Sequence, residues 1–236
     1  HAAQWSVLTA NMQRLLQGPG ETVVSTGRGQ TIPVSVHASA IDSADPGFQG
    51  NIFVLRDVTE RKRAERRIRY LARFDMLTKM PNRMQFQHLL QQAIARGRRR
   101  SGGLALLYVD VDHFKEFNDR YGHATGDVGL RAIAERVRLM TRRSDVLARY
   151  GGEEFVLLLP DTSAELALEK LEEIRAEVQA LVIELPRGLG QATLTLSAGI
   201  ATSPDDGTNA ADAWKTASNS TSRRWPPCTA RAPTRR

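Results

Sequence analysis

The chain has 236 residues, of which 41% are hydrophobic and 25% are charged, ordinary values for a globular protein. No apolar run approaches the roughly 20 residues of a membrane-spanning helix, and a single cysteine, Cys228, excludes an internal disulfide framework or a multi-cysteine zinc site. A net charge of +7 suggests a nucleic-acid or membrane partner. However, residues 214–236 hold one lysine, five arginines and no acid, so the rest of the chain is close to neutral.

The first 58 residues predict short strands separated by turns. Ile32, Val34 and Val36 alternate with polar residues, which is the period of a half-buried strand, and residues 51–58 predict another strand. Residues 42–50, between them, are rich in turn-forming residues. Two or three strands alone make a poor core, so we expect this segment to be an incomplete domain.

A charged helix is predicted for residues 59–74, with Thr59 as its cap. Its narrow apolar stripe of Ala64, Ile68 and Leu71 fits a short coiled coil and a solvated connecting helix equally well. Glu60 and Glu65 lie on either side of the basic residues 61–63, which favours a solvated face over contact with nucleic acid.

Residues 75–212 predict one α/β unit, an initial helix followed by the order β-α-β-β-α-β. The strands are predicted over residues 104–112, 145–150, 153–159 and 194–201, with Gly151 and Gly152 in the hairpin turn. The helices are predicted over residues 82–100 (burying Phe86, Leu89, Leu90, Ala93 and Ile94), after Gly126 (burying Leu130, Ile133, Ala134 and Val137) and over residues 164–181 (burying Leu168, Leu171, Ile174 and Val178). This order suggests an antiparallel sheet with helices on one face.

Acidic side chains gather at the ends of two predicted strands. Asp110 and Asp112 end the first strand, and Glu153 and Glu154 follow the paired glycines. If the hairpin lies beside the first strand, these carboxylates converge, and Mg²⁺ bound by one or two of them together with substrate phosphates would relieve their repulsion. Taken alone, the glycine pair also fits an ordinary hairpin with surface acids.

Asn118 and Asp127 flank a polar, glycine-containing segment that is predicted to be a loop. An amide and a carboxylate together can recognise a purine, because the carboxylate accepts hydrogen bonds from N1 and the exocyclic amine of guanine. A role for Asp127 as the cap of the next helix fits the spacing equally well.

Six motifs follow one another along residues 75–201: DMLTKMPNR from Asp75, DVDHFK and ND from Asp110, GH at Gly122, GD at Gly126, GGEEF from Gly151, and LSAGIA from Leu196. Their ordered succession resembles the GGDEF-domain family, the diguanylate cyclases. Residues 1–58 resemble the final strands of a PAS sensor domain, without its earlier strands and pocket helices. The resemblance implies an α/β (α+β) fold with an antiparallel-containing, nucleotidyl-cyclase or palm-like sheet, preceded by a partial PAS sheet and a linker helix.

The resemblance also implies a reaction in which two GTP molecules, one on each domain of a homodimer, condense to cyclic di-GMP and two pyrophosphates. By motif position, Mg²⁺ or Mn²⁺ would be held by Asp110, the Val111 carbonyl and Glu153. The catalytic residues would be Glu153 and Lys115, and the substrate-binding residues would be Phe114, Asn118, Asp127, Gly151 and Gly152. Arg142 and Asp145 match the family's RxxD site, at which cyclic di-GMP would inhibit the enzyme.

Further expectations concern partners and the end of the chain. We expect a cytoplasmic protein without nucleic-acid or membrane contacts in this chain, although a preceding segment could be anchored in a membrane. Where the family continues with an amphipathic helix, residues 213–236 lack an apolar period and contain Pro226 and Pro227. We therefore expect residues 213–236 to be an aberrant, disordered basic tail, as a reading-frame shift near Asp212 would produce; a genuine tail that binds RNA or acidic lipid is the other interpretation.

The missing helix leaves a second function open. A domain without the cations of that helix would be impaired in catalysis and would act as a module that binds GTP or cyclic di-GMP. The predicted organisation is thus a partial sensor (1–58), a connecting helix (59–74), a GGDEF domain (75–212) and the tail (213–236).

Overall fold

A computed structural model of the chain describes residues 20–25, 29–41, 50–100, 103–185, 190–203, 205 and 215–218. The chain divides into two compact units, residues 1–70 and 71–236. None of the described helices is long and apolar enough to cross a membrane.

The first unit contains a three-stranded antiparallel sheet in the order β1–β2–β3 and a helix, with β1 at Gly20–Ser25, β2 at Thr31–Ile41, β3 at Gly50–Asp57 and α1 at Thr59–Leu71. Val34, Val36 and Ala38 of β2 are buried, as the alternation of apolar residues predicts. The predicted turn lies outside the described residues, apart from Gly50, which begins β3.

Helix α1 is capped by a different residue from the one predicted. The Asp57 carboxylate accepts the N–H of Thr59 at 2.8 Å, so the expected cap at Thr59 is wrong, because the side chain that satisfies the first turn precedes it. None of the residues of α1 is buried. Lys62 pairs with Glu21 of β1 at 2.7 Å. The charged side of the helix is therefore solvated and ion-paired, as the mixture of basic residues and glutamates predicted.

The second unit is a mixed α/β fold with a four-stranded antiparallel sheet, as predicted. Its elements are α2 (Arg83–Arg100), β4 (Leu104–Val111), α3 (Phe114–Tyr121), α4 (His123–Met140), β5 (Val146–Gly151), β6 (Glu154–Pro160), α5 (Ala164–Gln179), β7 (Ile183–Glu184), β8 (Gln191–Ala192) and β9 (Leu196–Ser203). The sheet runs β5–β6–β4–β9, and β7 pairs with β8 separately. Strands of two residues are too short to show a period, so β7 and β8 were not predicted.

Helices cover both faces of this sheet, which corrects the expected one-sided arrangement. Leu107 of β4 packs in a cluster with Ile133 of α4, whereas its neighbour Leu106 packs with Phe86 of α2 on the other face. Both faces of β4 are therefore buried, and the continuous apolar run of this strand is the pattern of a doubly covered strand.

The polar segment predicted as a loop is helical on both sides of a single break. Phe114 and Phe117 are buried and begin α3, and α4 starts at His123 instead of after Gly126. The break is Gly122, whose φ of 84° is a conformation that glycine adopts without strain. In α5, Leu168 is exposed, contrary to the prediction, and Ala167 is buried instead, because Ala167 continues the buried positions 171, 174 and 178 by a step of four.

Part of the expected disordered tail is ordered. Residues 215–218 form a helical turn, and Ala217 is fully buried in the cluster that contains Phe86 and Leu90 of α2. The expectation of disorder is wrong for these four residues, because an apolar side chain inserts into the core. The other residues of the predicted tail lie outside the described residues.

Burial of Phe86 predicts a large stability loss on truncation. Phe86→Ala should lower the free energy of unfolding by about 3–5 kcal/mol, because the side chain is fully buried and its removal leaves a cavity. Denaturant unfolding measures the loss, with Met84→Ala as the control, since Met84 lies on the same helix and is 60% exposed. Equal losses in both variants would contradict the packing of α2 on the sheet.

Candidate functional site

The end of β4 lies beside the turn that joins β5 to β6. Asp110 of β4 pairs directly with Glu154 of β6 in the antiparallel ladder. One residue on, the N–H of Val111 donates to the carbonyl oxygen of Glu153 at 3.3 Å. Two carboxylates far apart in the sequence, those of Asp110 and Glu153, therefore occupy one end of the sheet.

Negative charge accumulates around Asp110. Burial raises the pKa of its carboxyl, and the neighbouring carboxylates of Glu153, Glu154 and Asp112 raise it further, to about 6. A divalent cation between these groups would relieve both effects, and the oxygen donors present, two carboxylates and the Val111 carbonyl, are those that Mg²⁺ and Mn²⁺ accept.

Two of the four predicted acids are bound to other side chains. The Tyr108 hydroxyl donates to Glu154, and burial followed by this bond raises the pKa of the phenol. Asp112 accepts hydrogen bonds from Thr195 at 2.6 Å and Ser197 at 2.5 Å. The described part of the chain has no group of three or more His, Cys, Asp or Glu side chains placed to hold a metal ion. Two carboxylates remain, a number suited to a Mg²⁺ ion that also binds substrate phosphates.

The turn after β5 is open on one side and fixed on the other. Gly152 has a φ of 27°, and a Cβ at this position would have no atom within 4 Å. Arg149 donates to the Gly152 carbonyl oxygen from Nη2 at 2.7 Å and from Nε at 3.0 Å, and its Nη1 donates to Asp75 at 3.1 Å. The guanidinium therefore fixes the backbone of the turn through the Gly152 carbonyl, while the space beside the Gly152 Cα stays open.

Asp75 fixes that guanidinium in turn. Its carboxylate also accepts the N–H and the hydroxyl of Thr78, both at 2.8 Å. Burial works to raise the pKa of Asp75, but the bonds from Thr78 and Arg149 outweigh it, and the pKa lies below its ordinary value. Arg149 was not predicted from the sequence, because nothing in the spacing links residues 75 and 149.

A buried amide oxygen without a partner among the described residues lies between α3 and α4. The Oδ1 atom of Asn118 is buried and accepts no hydrogen bond from any described residue. A Cβ on Gly126 would lie 1.9 Å from this oxygen, so the absence of a side chain at residue 126 makes room for the amide. Asp127 is exposed inside α4, four residues after its start, so the alternative in which Asp127 caps the helix is wrong.

The first turn of α3 faces outward without a capping side chain. His113, at the N-cap, has a left-handed φ of 55° and makes no side-chain cap hydrogen bond. The first N–H groups of a helix have no partners within it and carry a partial positive charge. In this first turn Lys115 is exposed and Phe114 is buried, so the ammonium group and the free N–H groups belong to the same helical turn.

The predicted inhibitory pair forms a tight turn. The N–H of Arg142 donates to Asp145 Oδ2 at 2.7 Å, and the N–H of Asp145 donates to the Arg142 carbonyl at 3.0 Å. The Arg142 side chain is exposed, and the turn borders two cavities of about 890 and 150 Å³. Asp110 and Glu153 line neither of them, so the pair is separate from the carboxylates.

Comparison with known proteins identifies the family. The model described as "Diguanylate cyclase, GGDEF domain" matches residues 72–223, past the predicted boundary at residue 212. The chain belongs to the GGDEF family. It is 37% identical over 174 residues to the diguanylate cyclase DgcM of Escherichia coli, an alignment that spans 73% of this chain and 40% of DgcM. The chain thus covers well under half the length of that relative.

Solved GGDEF domains share the fold of the second unit. The GGDEF domain of TpbB (YfiN) from Pseudomonas aeruginosa is 39% identical, with a TM-score of 0.60 over 63% of this chain and 86% of that one. The GGDEF domain of DgcB from Caulobacter crescentus, solved in complex with c-di-GMP, is 32% identical, with a TM-score of 0.60 over 64% of this chain and 86% of that one.

The raised pKa of Asp110 predicts a pH dependence of stability in metal-free buffer. The unfolded carboxyl titrates near its ordinary value of 3.8, so between about pH 4 and pH 6 the folded protein binds more protons than the unfolded chain. The free energy of unfolding should therefore fall as pH rises through this window, and Asp110→Asn should lack this component. Denaturant unfolding at several pH values with a chelator measures the difference; parallel curves for both proteins would contradict it.

Proposed function

We propose that this protein is a diguanylate cyclase that condenses two GTP molecules to cyclic di-GMP and two pyrophosphates, with one GTP on each domain of a homodimer. The observation that carries the proposal is the pairing of Asp110 with the GGEEF segment, which brings Asp110 and Glu153 to one end of the sheet. The membership of the second unit in the GGDEF family supports the same chemistry.

The two carboxylates and the Val111 carbonyl would hold Mg²⁺ or Mn²⁺. When bound, such an ion lowers the pKa of a ribose hydroxyl and neutralises charge on the leaving pyrophosphate. Glu153 would accept the proton of the 3′-hydroxyl of one GTP. The 3′-oxygen would then bond to the α-phosphorus of the second GTP as the bond from that phosphorus to pyrophosphate breaks. Glu154, held by Tyr108, would add negative potential without contacting the substrate.

Asn118 and Asp127 would bind the guanine base. Gly126 leaves room for the buried Oδ1 of Asn118, and the amide would donate from Nδ2 to the acceptors of the guanine edge. Asp127, exposed one residue after Gly126, would accept from N1 and the exocyclic amine. Selectivity for guanine over adenine would follow, because adenine lacks this pair of donors.

Backbone groups would bind the phosphates. Phe114 and Lys115 begin the uncapped first turn of α3, where N–H groups and an ammonium can face an anion. Gly151 and Gly152 would let the ribose and phosphates approach the chain closely, because neither glycine carries a side chain.

Regulation is part of the same proposal. Cyclic di-GMP would inhibit the enzyme by binding Arg142 and Asp145, as Arg can bind phosphate or guanine with two parallel hydrogen bonds. The sheet of the first unit would be the end of a PAS-like sensor, and α1 would connect it to the catalytic domain. The enzyme would work in the cytoplasm, where GTP is present.

The decisive experiment is a product assay with GTP and Mg²⁺. Glu153→Gln should lower cyclic di-GMP formation by at least about 10²-fold, because it removes both a metal ligand and a proton acceptor. Glu165→Gln is the matched control, since Glu165 is a fully exposed glutamate on α5. Product detected by chromatography in the wild type and the control, but not in Glu153→Gln, supports the proposal.

A folded wild-type protein that forms no product would contradict the proposed activity. If it still binds cyclic di-GMP, and Arg142→Ala removes that binding, the chain is a binding module instead. Calorimetry with cyclic di-GMP on the wild type and Arg142→Ala gives this answer from the same preparations.

Gly126→Ala tests the guanine pocket. Its Cβ would displace the Asn118 amide, so we expect GTP affinity to fall about tenfold, the loss of roughly one buried hydrogen bond, with ATP binding little changed. Val128→Ala is the control, because Val128 is exposed on the same helix. Equal losses for GTP and ATP would point to a general structural defect and contradict the assignment of Asn118.

A further inference from the structure

The peptide unit between Val111 and Asp112 is held from the β9 side. The N–H of Asp112 donates to the Thr195 carbonyl at 2.9 Å, just before β9 begins. In a trans peptide the C=O points away from the N–H. The Val111 carbonyl is therefore directed away from Thr195, toward the side on which the Val111 N–H bonds to Glu153.

The side chain of Asp112 reinforces the same connection. Thr195 Oγ1 donates to its Oδ2 at 2.6 Å, and Ser197 Oγ donates to its Oδ1 at 2.5 Å. Hydrogen bonds from hydroxyl to carboxylate at these lengths are charge-assisted and strong. Asp112 thus makes three bonds to the start of β9, one from its backbone and two to its carboxylate.

The left-handed residue that follows makes this restraint necessary. His113 has a φ of 55°, which costs a non-glycine residue free energy, and the chain turns there from β4 into α3. A strained residue directly after Asp112 would favour rotation of the Val111–Asp112 peptide plane if nothing held Asp112.

We propose that Asp112 is a positioning residue. Held by hydrogen bonds from Thr195 and Ser197, it directs the Val111 carbonyl toward the metal ion and the first turn of α3 toward the phosphates. This inference rests on the proposed function, because it gives the Val111 carbonyl a ligand role. It separates the two aspartates of the DVD motif: Asp110 binds the ion, and Asp112 orients the backbone between them.

The positioning role and a ligand role for Asp112 predict opposite results when the hydroxyls are removed. The double variant Thr195→Val/Ser197→Ala keeps Asp112 and its charge but removes both hydrogen bonds. If Asp112 were a metal ligand, its freed carboxylate would bind the ion as well as before or better. If Asp112 positions the backbone, the affinity for the ion falls, by about tenfold for the loss of such outer contacts.

The measurement is binding of a non-hydrolysable GTP analogue to the full chain as Mg²⁺ is varied. We expect the double variant to need about tenfold more Mg²⁺ for half-maximal binding, and the Asp112 amide to exchange its hydrogen faster while the midpoint of unfolding changes little. Thr195→Ser keeps the hydroxyl and should behave as the wild type. Ser203→Ala is the matched control, at the far end of the same strand.

A double variant with an unchanged or lower Mg²⁺ requirement overturns the inference and leaves the proposed function standing. If the double variant does not fold, Ser197→Ala alone decides: a raised Mg²⁺ requirement supports the inference and an unchanged one overturns it. A wild-type protein that takes up no analogue at any Mg²⁺ concentration overturns the proposed function and the inference together.

Discussion

The antiparallel pairing of β4 with β6 is the contact on which the candidate site depends. It sets Asp110 opposite Glu154 and Val111 beside Glu153. A slip of one residue would turn each of these side chains to the other face of the sheet. The register is secured by β4 itself, because its alternate residues pack into two different clusters, one against α4 and α5 and the other against α2.

Much of this arrangement is predictable from sequence because it follows periods. The apolar stripe of Leu130, Ile133 and Val137 predicted the buried face of α4, and the glycine pair predicted the hairpin between β5 and β6. What escaped prediction has no local pattern. Leu106 and Leu107 belong to different faces, but a strand that is buried on both sides gives no alternation to show it.

The residues of the candidate site could be predicted from the sequence only in part. Motif position supplied Asp110, Glu153 and Asn118, but not the side chains that orient the site. Arg149 reaches Asp75 across 74 positions of the chain, and Asp112 reaches Thr195 across 83. Hydrogen bonds over such separations depend on the folded topology. Helix α3 was missed because its polar and glycine-flanked composition outweighed the spacing of Phe114 and Phe117.

Gly126 shows how the packing of one side chain can oppose helix propensity. It lies within α4, where glycine is about 1 kcal/mol less favourable than alanine. The space that its missing methyl group leaves is filled by the amide of Asn118. Alanine would favour the isolated helix but would collide with that amide, so the close approach of α3 to α4 decides the residue at this position over helix propensity.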